Sequence, residues 1–281
     1  MDCEVIVSTY NKPRELNLVL LALARQRGAE FGVCVADDGS AEPTAELVAR
    51  WTSRLGPQRL RRVWHPDDGF QKNRILNRAI ATSAADYLIF IDGDCLARPD
   101  FVATHLRRRR PRGFLSGGMV RLNRQASAAL DEAAVEDGRV FGAQWLRRQL
   151  GTLSLSTRLK AGLLAPPLAA LLERVTPVKR TWNGANSSGW RRDIVAVNGF
   201  DERLRYGAED VEMGVRMAHD GVRAISVRYS LALLHIDHDR PYADAAVIAR
   251  NQAHVAEVRR SGRRWTEFGI RPGAATEPEA P

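Results

Sequence analysis

The amino-acid sequence predicts an α/β fold in which a largely parallel sheet is covered by helices. Three observations lead there. From Cys3 to Asp94, short apolar runs alternate with amphipathic stretches in the order strand, turn, helix, as expected of parallel strands joined by crossover helices. The last run of that region, Tyr87–Ile91, is continuously apolar, as a strand buried on both faces must be. Three of the strands stop abruptly in polar or acidic turns, and open parallel sheets bind their ligands beyond the carboxyl ends of strands.

The first strand is Glu4–Ser8, ending in Thr9-Tyr10-Asn11-Lys12-Pro13. Leucines at 16, 20 and 23, with Leu18 and Leu21 between them, predict a buried helix over Glu15–Arg27. Gly32–Ala36 is the second strand; it stops at Asp37-Asp38-Gly39-Ser40, and a helix from Thr44 to Leu55 follows. Arg61–His65 reads as a short third strand. Lys72–Thr82 sets Ile75, Leu76, Ala79 and Ile80 on one side of a helix, and the fourth strand, Tyr87–Ile91, runs into Asp92-Gly93-Asp94.

From Arg121 to Arg180 the alternation gives way to a helical pattern containing Pro166-Pro167. Between Arg147 and Arg180 seven basic residues and one acid, Glu173, are interleaved with leucines, which marks the stretch as a distinct basic insertion. Beyond it come a Gly/Asn-rich turn from Trp182 to Gly189, a helix over Glu209–Asp220, a strand over Ala224–Tyr229, the polar group His235-Ile236-Asp237-His238 and a closing helix from Tyr242 to Arg260. The expected organisation is one half-domain over 1–120, a helical basic insertion over 121–180, the second half of the same domain over 181–265 and a disordered tail over 266–281.

A chain of 281 residues, 44% of them apolar, can bury a sizeable core without covalent staples. Cys3, Cys34 and Cys95 are odd in number and form no C-x-x-C pair, so neither a disulfide framework nor a zinc knuckle is expected, and a reducing cytoplasm fits best. The acidic lead into Val5-Ile6-Val7 does not resemble a signal peptide, and no segment offers the ~18 uninterrupted apolar residues of a membrane span. A net charge of +9 is compatible with nucleic acid, an anionic membrane surface or phosphorylated small molecules as partners. Nucleic acid is disfavoured: no helix-turn-helix, zinc-finger or RNP pattern is present, and the arginines are not interleaved with aromatic stacking platforms.

Asp92-Gly93-Asp94 places two carboxylates one glycine apart where a buried strand ends, a hard-oxygen pair suited to Mn²⁺ or Mg²⁺, although Asp and Gly are also ordinary turn residues. Glu209-Asp210 stands at a predicted helix start, where the helix dipole favours acids in any case. His235 and His238, three apart after an apolar run, could face one ion, and imidazole ligands favour Mn²⁺ over Mg²⁺. Trp182-Asn183-Gly184-Ala185-Asn186 combines small residues, amides and an indole, a composition suited to holding sugars or to making a structural turn. Arg107–Arg110 with Arg112, and the basic insertion, are either a solvated face or a surface for an anionic membrane.

In order and spacing, Val7-Ser8-Thr9-Tyr10-Asn11, Asp37-Asp38-Gly39-Ser40, Asp92-Gly93-Asp94 and Gly207-Ala208-Glu209-Asp210 resemble glycosyltransferase family 2. The lead-in Val197-Asn198-Gly199-Phe200-Asp201-Glu202 fits the same register. Phe70-x-Lys72-Asn73-Arg74-Ile75-Leu76-Asn77 and the later His-x-x-His are similar to the β-1,4-galactosyltransferase and bacterial chondroitin polymerase branch. The likeness covers residues 3–124 and 180–240, and Ile236-Asp237 departs from the aromatic pair of bacterial relatives.

The resemblance implies a GT-A fold: a Rossmann-like nucleotide-binding sheet flanked by helices, with a helical insertion. It implies that Thr9 and Tyr10 line the base and ribose pocket, that Asp38 bonds the uracil and that Arg74 faces the nucleotide. Asp92 would hold ribose or metal-bound water across Gly93, and Asp94 would ligate Mn²⁺ or Mg²⁺ together with His235 or His238. Asp210 would be the catalytic base and Glu209 would orient hydroxyls, while Trp182, Asn183, Gly184, Asn186 and Gly207 would contact donor or acceptor sugar. The implied activity is inverting transfer of a galactose-type hexose from a UDP-sugar to a glycan or lipid-linked glycan in cell-surface polysaccharide or lipopolysaccharide synthesis. It would take place in the cytoplasm, with peripheral docking on the inner face of the membrane. A GDP- or dTDP-sugar donor, or a catalytically silent glycan-binding relative, are the alternatives.

Overall fold

In the computed structural model, which describes residues 1–161, 164–177, 181–239 and 243–271, eight strands form one mixed sheet in the order β3-β2-β1-β4-β7-β6-β8-β5. The N-terminal part alternates as the sequence predicts: β1 (Cys3–Thr9), α1 (Pro13–Ala24), β2 (Gly32–Asp37), α2 (Glu42–Leu55), β3 (Leu60–Trp64), α3 (Lys72–Ala81) and β4 (Tyr87–Asp92). These four strands pair in parallel. The chain steps outward from β1 through β2 to β3 and then returns to lay β4 on the other side of β1. That reversal opens a crevice at the carboxyl ends of β1 and β4, the place where such sheets bind ligands.

Strand alternation divides the core into two layers. Val5, Val7, Ile89 and Ile91 face one cluster, which α1 covers with Leu16, Val19, Leu20 and Leu23. Ile6, Leu88 and Phe90 face the other, with Ile75, Leu76 and Ile80 of α3. Pro13 starts α1 where its missing N–H costs nothing. Each fully buried leucine contributes roughly 1.5–3 kcal/mol of transfer free energy, so α1 is held by packing rather than by capping.

The middle of the chain departs from expectation in two strands. After β5 (Cys95–Leu96) and α4 (Phe101–Arg108), β6 (Gly113–Arg121) and β7 (Asn186–Trp190) enter the centre of the sheet. β7 lies antiparallel to β4 in the stretch expected to be a turn. Its polar side chains are buried and largely bonded, with Asn186 Oδ1 left without a hydrogen-bond partner. Ser188 Oγ meets Tyr87 Oη and His105 Nδ1, each at 2.7 Å, and Asn186 Nδ2 donates to the carbonyls of Gly118 and Leu231.

Between β6 and β7 lies the helical insertion: α5 (Arg124–Ala128), α6 (Glu132–Glu136), a 3₁₀ turn at Arg139–Phe141, α7 (Ala143–Leu150), α8 (Leu155–Lys160) and α9 (Pro166–Val175). Then follow α10 (Arg191–Ala196), α11 (Glu209–His219), β8 (Arg223–His235) and α12 (Ala245–Ser261). β8 extends past Tyr229 because its pairing with β6 resumes after a bulge at Gly117/Gly118, joining Ala232 to Gly118 and His235 to Arg121.

Residues 266–271, expected to belong to the tail, are bonded to the core. Asn198 Nδ2 donates to the carbonyls of Thr266 and Arg271, and the Arg271 N–H donates back to Asn198 Oδ1. Residues 266–271 are thus tied to the core, while 272–281 and Tyr242 lie outside the described residues. Among the described residues, no helix is long and apolar enough to cross a membrane.

Candidate active site

The carboxyl ends of β1 and β4, the start of α3, the start of α11 and the end of β8 enclose one cleft of about 850 Å³. Gly93 lets the Asp92–Asp94 turn lie against β1: its N–H donates to the Ser8 carbonyl at 2.7 Å, and a Cβ there would meet that oxygen and Thr9 at 3.0 Å. Asp92 Oδ1 accepts from Ser8 Oγ at 2.8 Å and from Lys72 Nζ at 2.6 Å. Lys72 therefore bridges the strand-end acids and the α11 acids. Burial works against its charge, but Asp92, Glu209 and Asp210 outweigh burial and hold the ammonium protonated.

Asp94 is the focus of a second group. Its Oδ2 accepts from Lys12 Nζ at 3.0 Å and lies 2.9 Å from His238 Nε2, while its Oδ1 is 3.8 Å from His235 Nε2. Burial raises its proton affinity, yet the His238 contact and the Lys12 and His235 charges together hold the carboxyl well below the usual range. Candidate ligand atoms of Asp94, Cys95 and His235 lie within 4.8 Å of one another. One carboxylate and two imidazoles form a mixed oxygen and nitrogen donor set, which fits Mn²⁺ better than Mg²⁺.

The other wall is built by backbone in the left-handed region. Gly207 has φ +107° and Ala208 φ +69° immediately before α11, and this turn projects two carboxylates from the helix start. Glu209 Oε2 accepts from the Gly207 N–H at 2.7 Å. Asp210 Oδ2 accepts from the Gly184 N–H at 2.6 Å and its Oδ1 from the Val211 N–H at 2.8 Å. Burial and the neighbouring Asp210 charge push the Glu209 carboxyl up to about 7, against a partial offset from Lys72. Asp210 is also raised, chiefly by burial, with the Gly184 N–H and Lys72 opposing.

Of the residues expected to form a site, Thr9, Tyr10, Asp38, Asp92, Gly93, Asp94, Asn183, Gly184, Gly207, Glu209, Asp210, His235 and His238 all line this cleft. Arg74 does not: Lys72, two positions earlier on α3 and so on a different face of the helix, takes the place expected for it. Trp182 is a core residue, 1% exposed, with its ring edge-on to Phe90 and Phe200. Asn186 is fully buried and braces the β6–β8 bulge. Asp38 is already bonded by His65 Nε2 at 2.7 Å and the Gln71 N–H at 3.0 Å, and burial raises its carboxyl.

Lys12, Met119 and Arg121 line the cleft without having been singled out in the sequence. Lys12 follows the first strand-end motif directly and so carried a signal; Met119 and Arg121 sit on β6, whose glycines hide the strand. The arginine run is used internally. Arg108 pairs with Glu173 at 2.7 Å, Arg109 stacks on Tyr87 and Trp190, and Arg112 bonds Asp193 and Asp220.

Residues 4–110 match the family model described as Glycosyl transferase family 2. Over this stretch, rather more than a third of the chain, the sequence is similar to that family. The uncharacterized glycosyltransferase YfnE of Bacillus subtilis is 26% identical over 92% of this chain and 70% of its own length. Validoxylamine A glucosyltransferase of Streptomyces hygroscopicus subsp. jinggangensis is 27% identical over 85% of this chain, and the match spans 56% of that protein. Chondroitin synthase of Escherichia coli is 28% identical over 36% of this chain and 15% of its own, in keeping with the polymerase-branch resemblance.

Solved structures share the GT-A fold of this chain. Mannosyltransferase PcManGT from Pyrobaculum calidifontis, in complex with GDP-Man and Mn²⁺, superposes with TM-score 0.58 at 20% identity, covering 93% of this chain and 61% of its own. S. aureus TarS 1–349, in complex with UDP-GlcNAc, gives TM-score 0.62 at 16% identity over 92% of this chain and 66% of that one.

Proposed function

We propose that the protein transfers a galactose-type hexose from a UDP-sugar, with inversion and with Mn²⁺, to a glycan of a cell-surface polysaccharide or lipopolysaccharide. One observation carries the reading. Acids from the end of β4 and the start of α11 converge on one cleft, bridged by Lys72 and completed by two histidines from the end of β8. The donor nucleotide would lie along Thr9, Tyr10 and Asp38, with Lys12 and Lys72 facing its diphosphate. Asp94, His235 and His238 would hold the metal, whose chemistry there is to stabilise negative charge on the leaving diphosphate.

Asp210 is assigned as the base. Both of its oxygens are pinned by backbone N–H groups, so its orientation is set before substrate arrives, while burial raises its proton affinity toward that needed to take a hydroxyl proton. Glu209, beside it and held by Gly207, would accept from a sugar hydroxyl. With the base on one wall and the diphosphate on the other, the incoming oxygen attacks opposite the leaving group, which inverts the anomeric carbon.

We assign the insertion to docking on the inner face of the cytoplasmic membrane. Leu155, Leu168, Leu171 and Val175 are 70%, 46%, 54% and 64% exposed, among exposed Arg147, Arg148, Arg158 and Arg174.

Calorimetric titration of UDP with Mn²⁺ present should show binding that is lost on chelation. Heat with GDP or dTDP in place of UDP would reassign the donor, and no heat with any nucleotide would overturn the enzyme reading. D210N should bind UDP normally while transfer falls about 10²–10⁴-fold; wild-type transfer by D210N would remove Asp210 as base.

A further inference from the structure

A second cavity of about 340 Å³ shares Asn183 and Asp210 with the main cleft, so the proposed base stands at the junction of two spaces. The second space is strongly cationic. Lys160 reaches it from α8, and Arg228 from the segment of β8 that bulges outward between its two pairings with β6. Arg121, at the end of β6 and on the main cleft, adds a third positive charge: burial and the charges of Arg228 and Arg121 together hold the Lys160 ammonium below its ordinary value. Among the described residues none of the three forms an ion pair with a carboxylate, and Asp210 is the only acid lining the cavity. Ser116 and Ser226 supply hydroxyls beside them.

Cations gathered without a counter-charge repel one another, and a half-buried site strengthens that repulsion. The arrangement is costly to the free protein and is relieved by an anion. A donor diphosphate in the main cleft, which Arg121 lines, does not meet the need of Lys160 and Arg228, because neither of these two lines that cleft. The molecule that must reach Asp210 through this cavity is the acceptor.

We propose that this cavity is the acceptor subsite and that the acceptor carries an oxyanion, a phosphate or a carboxylate, held by Lys160 and Arg228 while a nearby hydroxyl is presented to Asp210. The assignment rests on the proposed transferase reading and narrows it from any glycan to an anionic one. Arg228 offers a planar fork that pairs with two oxygens at once, and Lys160 a compact charge. Held in this way, the acceptor is oriented before reaction, so a neutral analogue loses both affinity and alignment.

The test titrates glucose 1-phosphate, glucuronic acid and glucose into the full chain, with and without UDP and Mn²⁺. The phosphate or the carboxylate probe should bind at least about tenfold more tightly than glucose at about 0.05 M salt, and this advantage should shrink at about 0.5 M. Whichever anion binds more tightly identifies the oxyanion. The double variant K160Q/R228Q should reduce the preference to within about twofold, and the charge-preserving K160R/R228K should retain it; circular dichroism checks that both variants fold. Equal binding of all three probes to the wild type, or a preference that survives in K160Q/R228Q, overturns the proposal. UDP titration separates it from the donor reading. A variant-sensitive anion preference in a protein that takes up no nucleotide leaves the subsite standing and the donor reading fallen, and nucleotide uptake without the preference does the reverse.

Discussion

Glu209 and Asp210 are adjacent carboxylates in a site that excludes much of the solvent, and their energetics follow from that placement. Glu209, ordinarily near 4.5, is pushed up to about 7 by burial and by Asp210. The folded protein therefore holds this proton more tightly than the unfolded chain does. The resulting stabilisation is fully present below pH 4.5 and is lost as pH rises through about 7. E209Q cannot lose the proton, so it should melt a few degrees higher than wild type at pH 8 and close to wild type at pH 5. The expected difference is on the order of 1–3 kcal/mol, since Lys72 gives up one anionic neighbour in exchange. Thermal melts at the two pH values check it, and a destabilised E209Q at pH 8 would show that Lys72 needs both acids. Asp92, Asp94, Glu209 and Asp210 were legible in the sequence because each closes a strand or opens a helix at a recognisable spacing. Lys72 was not assigned a role, because a lysine at a helix start carries no signal until the fold sets it between carboxylates.

At the scale of elements, β1 to β4 were readable because buried apolar runs separated by amphipathic helices leave little choice of structure. β6 and β7 were hidden for opposite reasons. β7 is Asn-Ser-Ser-Gly-Trp, a turn by composition, and becomes a central strand only because Tyr87, His105 and the β6 carbonyls supply its hydrogen bonds. β6 carries Gly113, Gly117 and Gly118, which weaken a strand by propensity yet are required by contact. A Cβ on Gly118 would collide with the Arg228 carbonyl, and one on Gly117 with the Asn186 side chain. These two glycines permit the bulge that pushes residues 228–231 of β8 outward. G118A should therefore cost about 1–3 kcal/mol, as overpacking does, and displace Arg228. Chemical denaturation reads the first effect and loss of anion preference in the acceptor assay the second; a fully stable G118A would show that the bulge can shift freely.

For the molecule as a whole, the sheet carries the site on one edge of its strands and the insertion presents a separate surface. The orientation of α9 decides what that surface is. Glu173 is buried on one side of the helix, where its Oε1 accepts from the Tyr229 and Ser230 N–H groups and its Oε2 pairs with Arg108 at 2.7 Å. Ala169, one turn earlier, is buried with it. That face fixes α9 against the β8 bulge, so Leu168, Leu171 and Val175, spaced three and four apart on another face, are turned away from the core. An apolar stripe held outward by the Glu173–Arg108 ion pair, in an insertion whose Arg147, Arg148, Arg158 and Arg174 are exposed, has the composition of an interfacial membrane surface. The arginine run 107–110 was the more obvious basic feature in the sequence, but its Arg108 and Arg109 are spent on Glu173 and on aromatic rings. Docking should therefore depend on the insertion: the protein should co-float with vesicles containing about 30% anionic lipid at low salt and be released as salt screens the arginines. L168S/L171S and R147E/R148E should each lower the bound fraction severalfold without loss of UDP binding. A wild-type protein that stays entirely in the soluble fraction at low salt would remove the membrane from the reading and leave the leucines to a protein partner.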